Sequence, residues 1–481
     1  MCDTEYQFIN TGSVNPVSRR LIRSHVMRGK NVGKKRLPRR QQQVAPISRS
    51  KITQTQSNIA FPPIHYSQSS MHELNTGELF SPRVLFNIGD ELGRITSPYH
   101  VSDQDRKDIS SFLLRFSEMV YPPQFSLGSR ASKAIFIEYL FVDDAYFHSF
   151  LAMSAACFNC ITNGESTTRA EMHHHCSALR LLNAKLAGQD ALSEISIASV
   201  ISMCLHSYLR QDVKKMMVHL KGLIKIIDLR GGIGSLVACP ALMDKVRRID
   251  VDVAMQIGIP LQLEFTPMFS EPTIAPLFLS DFDLPGPFRR TLQETNKQLY
   301  FIARDIARLA HFMSATATTP DLRPGFLQET VMSLFYRLLG VDTVAGQYMV
   351  DPVARGTHIV LASFMTLALL RFDHQRRKQY CFVSRQCASR LNCSSFVEAM
   401  VDHVEAHFWM LMASGSTILE DDDHGWLIPQ LKETVGKLGI SVWSQAMTIL
   451  KRYPWISGLQ DEPAHPLWMM CLEQSASLGQ R

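Results

Sequence analysis

The stretch that decides the fold is His219–Leu236, "HLKGLIKIIDLRGGIGSL". Its apolar residues recur at the spacing of one helical face, and they are Leu220, Leu223, Ile226, Ile227 and Leu229. Gly231 and Gly232 follow directly, and glycine after the last helical turn favours the left-handed backbone that ends a helix. The stretch therefore predicts a helix with one buried face and an abrupt end.

The same helical pattern recurs on both sides of this stretch. Upstream it covers the run that opens at Asp103, then Ala131–Ile161 (one long helix or a broken pair), Thr167–Gly188 and Ala191–Gln211. Downstream it covers Cys239–Gly258, Leu292–Met313, Leu327–Gly340, residues 356–370 and the last hundred residues. Alternating strand patterns are scarce and no repeat of fixed period occurs, so the fold class is all-α. Residues 356–370 are too short for the roughly 20 residues of a membrane span, and they predict a buried core helix.

The helix predicted after Thr167 has a recognisable start. Thr168 and Glu171 stand at the spacing of a capping box, in which each side chain caps a backbone N–H of the other residue. An apolar stripe follows, which predicts a core-facing side made of Met172, Cys176, Leu179, Leu182 and Leu186.

The positive charge of the chain is concentrated near its N-terminus. Residues 1–72 contain twelve of the 50 Lys and Arg residues and two of the 44 acidic residues, a net charge of +10, whereas the rest of the chain is net −4. This asymmetry predicts a basic arm over residues 1–40 whose partners are polyanions or a receptor for basic peptides. Residues 41–100 are rich in Gln, Ser, Pro and Thr and predict a disordered linker. A helical regulatory domain is expected over residues 101–475.

The basic arm suggests three roles. Asn15–Arg40 contains ten Lys or Arg residues and no carboxylate. One role is nuclear import, through Lys34, Lys35, Arg36, Arg39 and Arg40. A second is salt-sensitive DNA contact from a short helix capped by Ser18, through Arg19, Arg20, Arg23, His25, Arg28 and Lys30. The third is a solvated tail; we favour import and DNA contact combined.

The ten cysteines predict no metal site and no disulfide framework. They are scattered, most of them within apolar helical patterns, and are expected to be reduced thiols of an intracellular protein. Cys157, Cys160, His173 and Cys176 have the outline of a zinc finger, but no second His follows three to five residues after His173. Cys381, Cys387 and Cys393 fit no zinc, haem or iron–sulfur spacing. The basic residues near them predict a partly buried helix with a basic outer face, with a redox-sensing thiol as the alternative; they are Arg376, Arg377, Lys378, Arg385 and Arg390.

The motifs of helical enzymes and nucleotide-binding proteins are absent from the sequence. Terpene cyclisation needs the spacing D-D-x-x-D for magnesium, but neither Asp143-Asp144 nor Asp421–Asp423 has the final Asp. Both acidic clusters predict helix starts or solvated loops. No P-loop and no G-x-S-x-G motif occurs. We therefore expect no enzyme, no cofactor and no catalytic residue.

The opening stretch resembles a helix of the fungal-specific transcription factor domain family. That helix has the form H-L-x-G-L-x-x-I-I-x-L-R-G-G and is followed by R-x-D-x-D, here Arg248, Asp250 and Asp252. The leader "FIN…NPVSRRLIRSHVMR" also resembles that of a subset of these proteins. Many members carry a binuclear zinc cluster of six cysteines near the N-terminus. This sequence has no cysteine between Cys2 and Cys157, so DNA binding by that route is not expected.

The resemblance implies a nuclear regulator of transcription in a fungus, conceivably of a biosynthetic gene cluster for secondary metabolites. Its expected partners are DNA through the arm, a nuclear import receptor, and other transcriptional regulators or a second copy of itself; no membrane is expected. The alternative is a co-regulator that enters the nucleus and binds proteins but not DNA. A helical enzyme or ligand-binding protein is the third alternative.

Overall fold

A computed structural model describes residues 101–113, 136–137, 139–162, 167–265, 282–315, 325–370 and 373–473. All of them belong to one unit of the chain, Gly77–Arg481. Over these ranges the structure contains seventeen α-helices, four short 3₁₀ turns and no β-strand. The all-α prediction is confirmed.

The helices fall into two runs along the chain. The first run is α1 (Asp103–Ser111), α2 (Asp144–Ile161), α3 (Arg169–Leu186), α4 (Glu194–Leu209), α5 (Val213–Arg230) and α6 (Pro240–Ile257). The second run is α7 (Gly286–Thr295), α8 (Lys297–Ala315), α9 (Phe326–Val341), α10 (Pro352–Met365), α11 (Asp373–Gln379), α12 (Cys381–Leu391), α13 (Ser394–Ala399), α14 (Val404–Thr417), α15 (His424–Leu438), α16 (Trp443–Leu450) and α17 (Ser457–Glu473). Of the two alternatives for Ala131–Ile161, the broken helix is correct, because a turn at residues 139–142 precedes α2.

The helix ends follow from local sequence. The side chains of Asp143 and Thr168 cap α2 and α3 by accepting hydrogen bonds from backbone N–H groups of the first turn. Gly231 ends α5 with φ 104°, in the left-handed region where a side chain would be strained. Asp143 therefore starts a helix as predicted, and Asp421–Asp423 form the 3₁₀ turn that leads into α15.

One contiguous hydrophobic core runs through the described helices. In the first run α2 packs against α3 and α4, and α4 packs against α5; in the second, α10 packs against α12 and α14, and α14 against α15 and α17. Residues 356–370 are buried within and after α10, as predicted. Trp455, just before α17, and Trp468 within it are also buried. Among the described helices, none has the length and apolar character to cross a bilayer.

Two predicted apolar stripes are partly wrong. On α5 the stripe is buried except for Leu229, which is 59% exposed. On α3 Met172 and Cys176 are exposed, whereas Glu171, His174 and His175 are buried in their place. The core-facing side of α3 is thus polar over its first turns and apolar further along, at Ala178 and Leu182.

The basic arm and the linker lie outside the described residues. This holds for every residue proposed for DNA contact or nuclear import, from Arg19 to Arg40. Those assignments stay predictions from the sequence.

Candidate functional site

Helix α6 carries six charged side chains into the interior of the protein. Every residue from Leu242 to Met255 is buried, and the charged ones among them are Asp244, Lys245, Arg247, Arg248, Asp250 and Asp252. Taking an ion out of water costs several kcal/mol unless partners satisfy it, so the partners of this helix are the feature to explain. We call α6 and those partners the α6 network.

Arg247 forms a fully buried ion pair with Glu329 on α9. Its guanidinium lies 2.7 Å from the Glu329 carboxylate, and neither side chain is exposed to solvent. The guanidinium also lies over the ring of Phe265, with 4.9 Å between Cζ and the ring centroid. This pair ties α6 to the second run of helices.

Arg248 and Asp252 form the centre of a second branch. Arg248 Nε lies 3.3 Å from Asp252, one turn further along α6, and the guanidinium also donates to the carbonyl of Leu369. The hydroxyl of Tyr380 donates to Asp252 at 2.7 Å, and the hydroxyl of Tyr208 on α4 donates to Tyr380 at 3.2 Å. The chain of hydrogen bonds thus links α4, α6 and the segment before α12.

Asp250 holds the loop that follows α6. Its carboxylate accepts hydrogen bonds from the backbone N–H groups of Gln262 and Leu263 and from the hydroxyl of Tyr336 on α9. Burial nevertheless raises the pKa of Asp250 to about 6, against the effect of these three donors. Its neighbours follow the same rule, because burial raises the pKa of Asp244 and lowers that of Lys245.

Lys245 packs against an aromatic ring. Its ammonium lies 3.6 Å from the centroid of Phe136, a distance at which the ring attracts a cation. Asp244, beside it, accepts a hydrogen bond from the Gln328 side chain just before Glu329 on α9. Both ends of α6 are therefore bound to neighbouring elements by polar contacts.

A second polar cluster is centred on Glu171 of α3. Thr168 accepts the hydrogen bond of the Glu171 N–H at 3.1 Å, so one half of the predicted capping box is present. The Glu171 side chain does not return to the cap; it is fully buried and accepts from Arg210 and His206 at the end of α4 and from Asn159 on α2. Burial raises the pKa of Glu171, but the hydrogen bonds from His206 and Arg210 outweigh it and lower the pKa.

Histidines surround this cluster. The ring of His175 stacks on that of His206 at 4.4 Å between centroids, while Nδ1 of His148 lies 2.8 Å from Nδ1 of His174. His174 in turn faces Asp105 on α1 at 3.3 Å. Burial lowers the pKa of both His148 and His175 to about 4, so these rings are neutral at physiological pH.

The cysteine patterns form no joint site in the structure. Cys157 is buried on α2, whereas His173 and Cys176 are exposed on α3, and the described residues contain no group of three or more His, Cys, Asp or Glu side chains placed to hold a metal ion. Cys387 is also buried, which raises the pKa of its thiol to about 12.

The basic outer face predicted for the segment around α12 is partly wrong. Arg376 is buried and donates to the carbonyls of Thr417 and Leu370. Arg390 is buried as well and donates to the carbonyl of Val344. These guanidinium groups hold loops together from the inside instead of facing solvent.

The sequence signalled part of the α6 network. The R-x-D-x-D motif gave Arg248, Asp250 and Asp252 without saying that they are buried. Glu329, Tyr336, Tyr380 and Arg210 carried no local signal, because each finds its partner more than thirty residues away along the chain.

Comparison with known proteins supplies one match. Residues 112–250 match the sequence profile of the fungal specific transcription factor domain, a segment that begins after α1 and ends within α6. No curated protein and no solved structure shows significant similarity to the chain. The resemblance drawn from "HLKGLIKIIDLRGG" is thereby confirmed: residues 112–250 of this chain match the fungal specific transcription factor domain.

Proposed function

We propose that this protein is a nuclear regulator of transcription in a fungus. The observation that carries the proposal is the family match over residues 112–250, whose last helix is the one that connects both runs of the helical body. A helical fold of this size offers large surfaces for protein contacts. We propose no enzymatic activity for this protein.

The proposed mechanism gives the two parts of the chain different tasks. The arm, with its net positive charge, contacts DNA by displacing counterions from the phosphates and carries the import signal. The helical body binds other regulators or a second copy of the chain. The α6 network supports a body that acts as one unit, because Glu329 and Tyr380 join the family-matched helices to the rest of the body through Arg247 and Asp252.

A second candidate is a co-regulator that does not touch DNA. It is favoured by the lack of any cysteine between Cys2 and Cys157, since reading a base sequence normally needs a folded scaffold such as a zinc module. In this alternative the arm serves import alone.

Deletion of residues 15–40 separates the two candidates. The purified full chain and the deletion variant are titrated with a DNA duplex at low and at high salt, and both are followed as fluorescent fusions in fungal cells. Loss of DNA affinity on deletion, with a steep salt dependence in the intact protein, supports direct binding. Unchanged DNA affinity with lost import supports the co-regulator, and unchanged import with unchanged DNA affinity refutes both roles of the arm.

A matched deletion controls for chain length. Residues 41–66 have the same length as residues 15–40 but contain only Arg49 and Lys51 as basic residues. Their removal is expected to leave localisation and DNA affinity unchanged. The predicted target, a biosynthetic gene cluster, is tested by chromatin occupancy of the tagged protein with and without the arm.

A further inference from the structure

Helix α5 presents a face to solvent that combines lysines with apolar side chains. Six exposed residues form it, namely Lys214, Val218, Lys221, Gly222, Lys225 and Leu229. At 3.6 residues per turn they fall within a sector of about 100°. We call them the α5 face.

The α5 face is not needed to hold α5 in place. The opposite side of the helix is buried through Met216, Leu220, Leu223, Ile226 and Ile227, and α5 packs on α4 and α6. Val218 and Leu229, by contrast, are 47% and 59% exposed. Within the α5 face, two large apolar side chains are thus left in water, although the other side of the helix is well packed.

The charge of the α5 face is also uncompensated. Among the described residues no acidic group pairs with Lys214, Lys221 or Lys225, whereas Lys215 beside them pairs with Asp212 at 2.8 Å. Asp228 is the only acidic residue within α5, and it lies at the border of the face. The face therefore attracts a partner with carboxylates.

Gly222 provides space at the middle of the face. Glycine inside a helix costs about 1 kcal/mol relative to alanine, yet a Cβ added at Gly222 meets no atom within 4 Å. Packing within the described part of the chain thus gives no reason for the glycine. A missing side chain between Val218 and Leu229 does allow another helix to approach closely.

We propose that the α5 face is the docking site for an acidic amphipathic helix of a partner protein. Carboxylates of that helix would pair with the three lysines, and its apolar side chains would cover Val218 and Leu229 over the gap at Gly222. A nucleic acid fits less well, because its phosphates would pair with the lysines but would leave the two apolar side chains exposed to water. The docking site depends neither on the basic arm nor on nuclear import.

The probe is a library of peptides of 18 residues, the length of α5. The peptides carry Glu or Asp along one edge of a helix and Leu or Phe along the next, and they are selected for binding to the full chain. The tightest binders are titrated against wild type, Lys221→Glu/Lys225→Glu and Gly222→Gln by fluorescence anisotropy. A DNA duplex serves as the second ligand.

The proposal predicts that both variants bind the selected peptides about tenfold or more weakly than wild type. The double variant reverses two charges of the face, and the other variant places a bulky side chain in the gap. Lys437→Glu on α15 makes the same kind of charge change at a side chain that is 45% exposed and is expected to leave binding unchanged. All substituted residues are exposed, so the variants should melt close to wild type.

Three results would overturn the proposal. The first is a selection that yields no binder, and the second is binders whose affinity is the same for wild type and both α5 variants. The third is a DNA duplex that displaces the peptides and loses affinity in Lys221→Glu/Lys225→Glu, which would assign the face to nucleic acid instead.

Discussion

Replacing Glu329 by glutamine should destabilise the protein strongly, because it removes the carboxylate that pairs with a buried cation, Arg247. The Arg247–Glu329 pair is completely buried, and two further nitrogens of Arg247, Nε and Nη2, are buried without a hydrogen-bond partner. Glutamine keeps the shape of the side chain but not its charge. The guanidinium is then left buried next to a neutral amide.

The expected cost follows from that arrangement. Breaking a buried ion pair by removing one charge typically costs about 3–5 kcal/mol, since the other charge stays desolvated. Replacing both residues, as in Arg247→Met/Glu329→Leu, removes both desolvation penalties, and the methionine retains an apolar contact with Phe265. The double variant should therefore be more stable than Glu329→Gln.

Urea denaturation followed by circular dichroism measures the effect. Glu329→Gln is expected to lower the midpoint by about 1 M or more, if unfolding proceeds with a slope of about 3 kcal/mol per M. An exposed pair, Lys437–Glu433, is the matched control, because Glu433→Gln there should change stability by less than about 0.5 kcal/mol. A shift in Glu329→Gln as small as in this control would refute our account of the α6 network, as would a double variant less stable than the single one.

Three further predictions concern packing, capping and pH. Gly356→Ala on α10 places a methyl group against the ring of buried Phe396 and should cost about 1–3 kcal/mol, whereas Gly436→Ala, which meets nothing within 4 Å, should raise the melting temperature slightly. Thr168→Ala removes the N-cap of α3 and should lower the free energy of unfolding by about 1 kcal/mol, measured in urea. Burial lowers the pKa of His175 from 6.5 to about 4. As the pH falls below about 6.5, the ring therefore takes up a proton in the unfolded chain but not in the folded protein, and the free energy of unfolding decreases until about pH 4. The loss of stability between pH 7 and 5 should accordingly be smaller in His175→Gln, and an unchanged pH profile would contradict a buried neutral ring.

Periodicity within single helices predicted most of the fold. The stripe from Leu220 to Ile227 is buried, Gly231 ends α5, and Asp143 and Thr168 cap their helices. These features depend on interactions within a few residues, which the sequence shows directly. The boundary between α7 and α8 was not predicted: the run Leu292–Met313 was expected to be one helix, but Asn296 adopts an extended backbone and divides it.

The errors share one physical cause. Glu171 was interpreted as one half of a capping box because its partner there is local, but Arg210 and His206 compete for its carboxylate from the end of α4. Such a charge-assisted pair is stronger than a cap hydrogen bond, and it turns the polar side of α3 inward. Met172 is then left on the outer side, 51% exposed. No periodicity within α3 alone contains that information.

The family match ends within α6, but the contacts of α6 continue into the helices that follow it. The match stops at residue 250, in the middle of α6, between Arg248 and its partner Asp252. A domain that ended at residue 250 would leave Arg247 without Glu329 and Tyr208 without Tyr380. Each loss would leave a polar group exposed, or buried without a hydrogen-bond partner. Because charged groups are buried only where partners satisfy them, five of the six charged side chains of α6 require partners from beyond the matched segment; Lys245 contacts Phe136 within it. The helices after α6 are therefore part of the same folding unit as the family-matched segment.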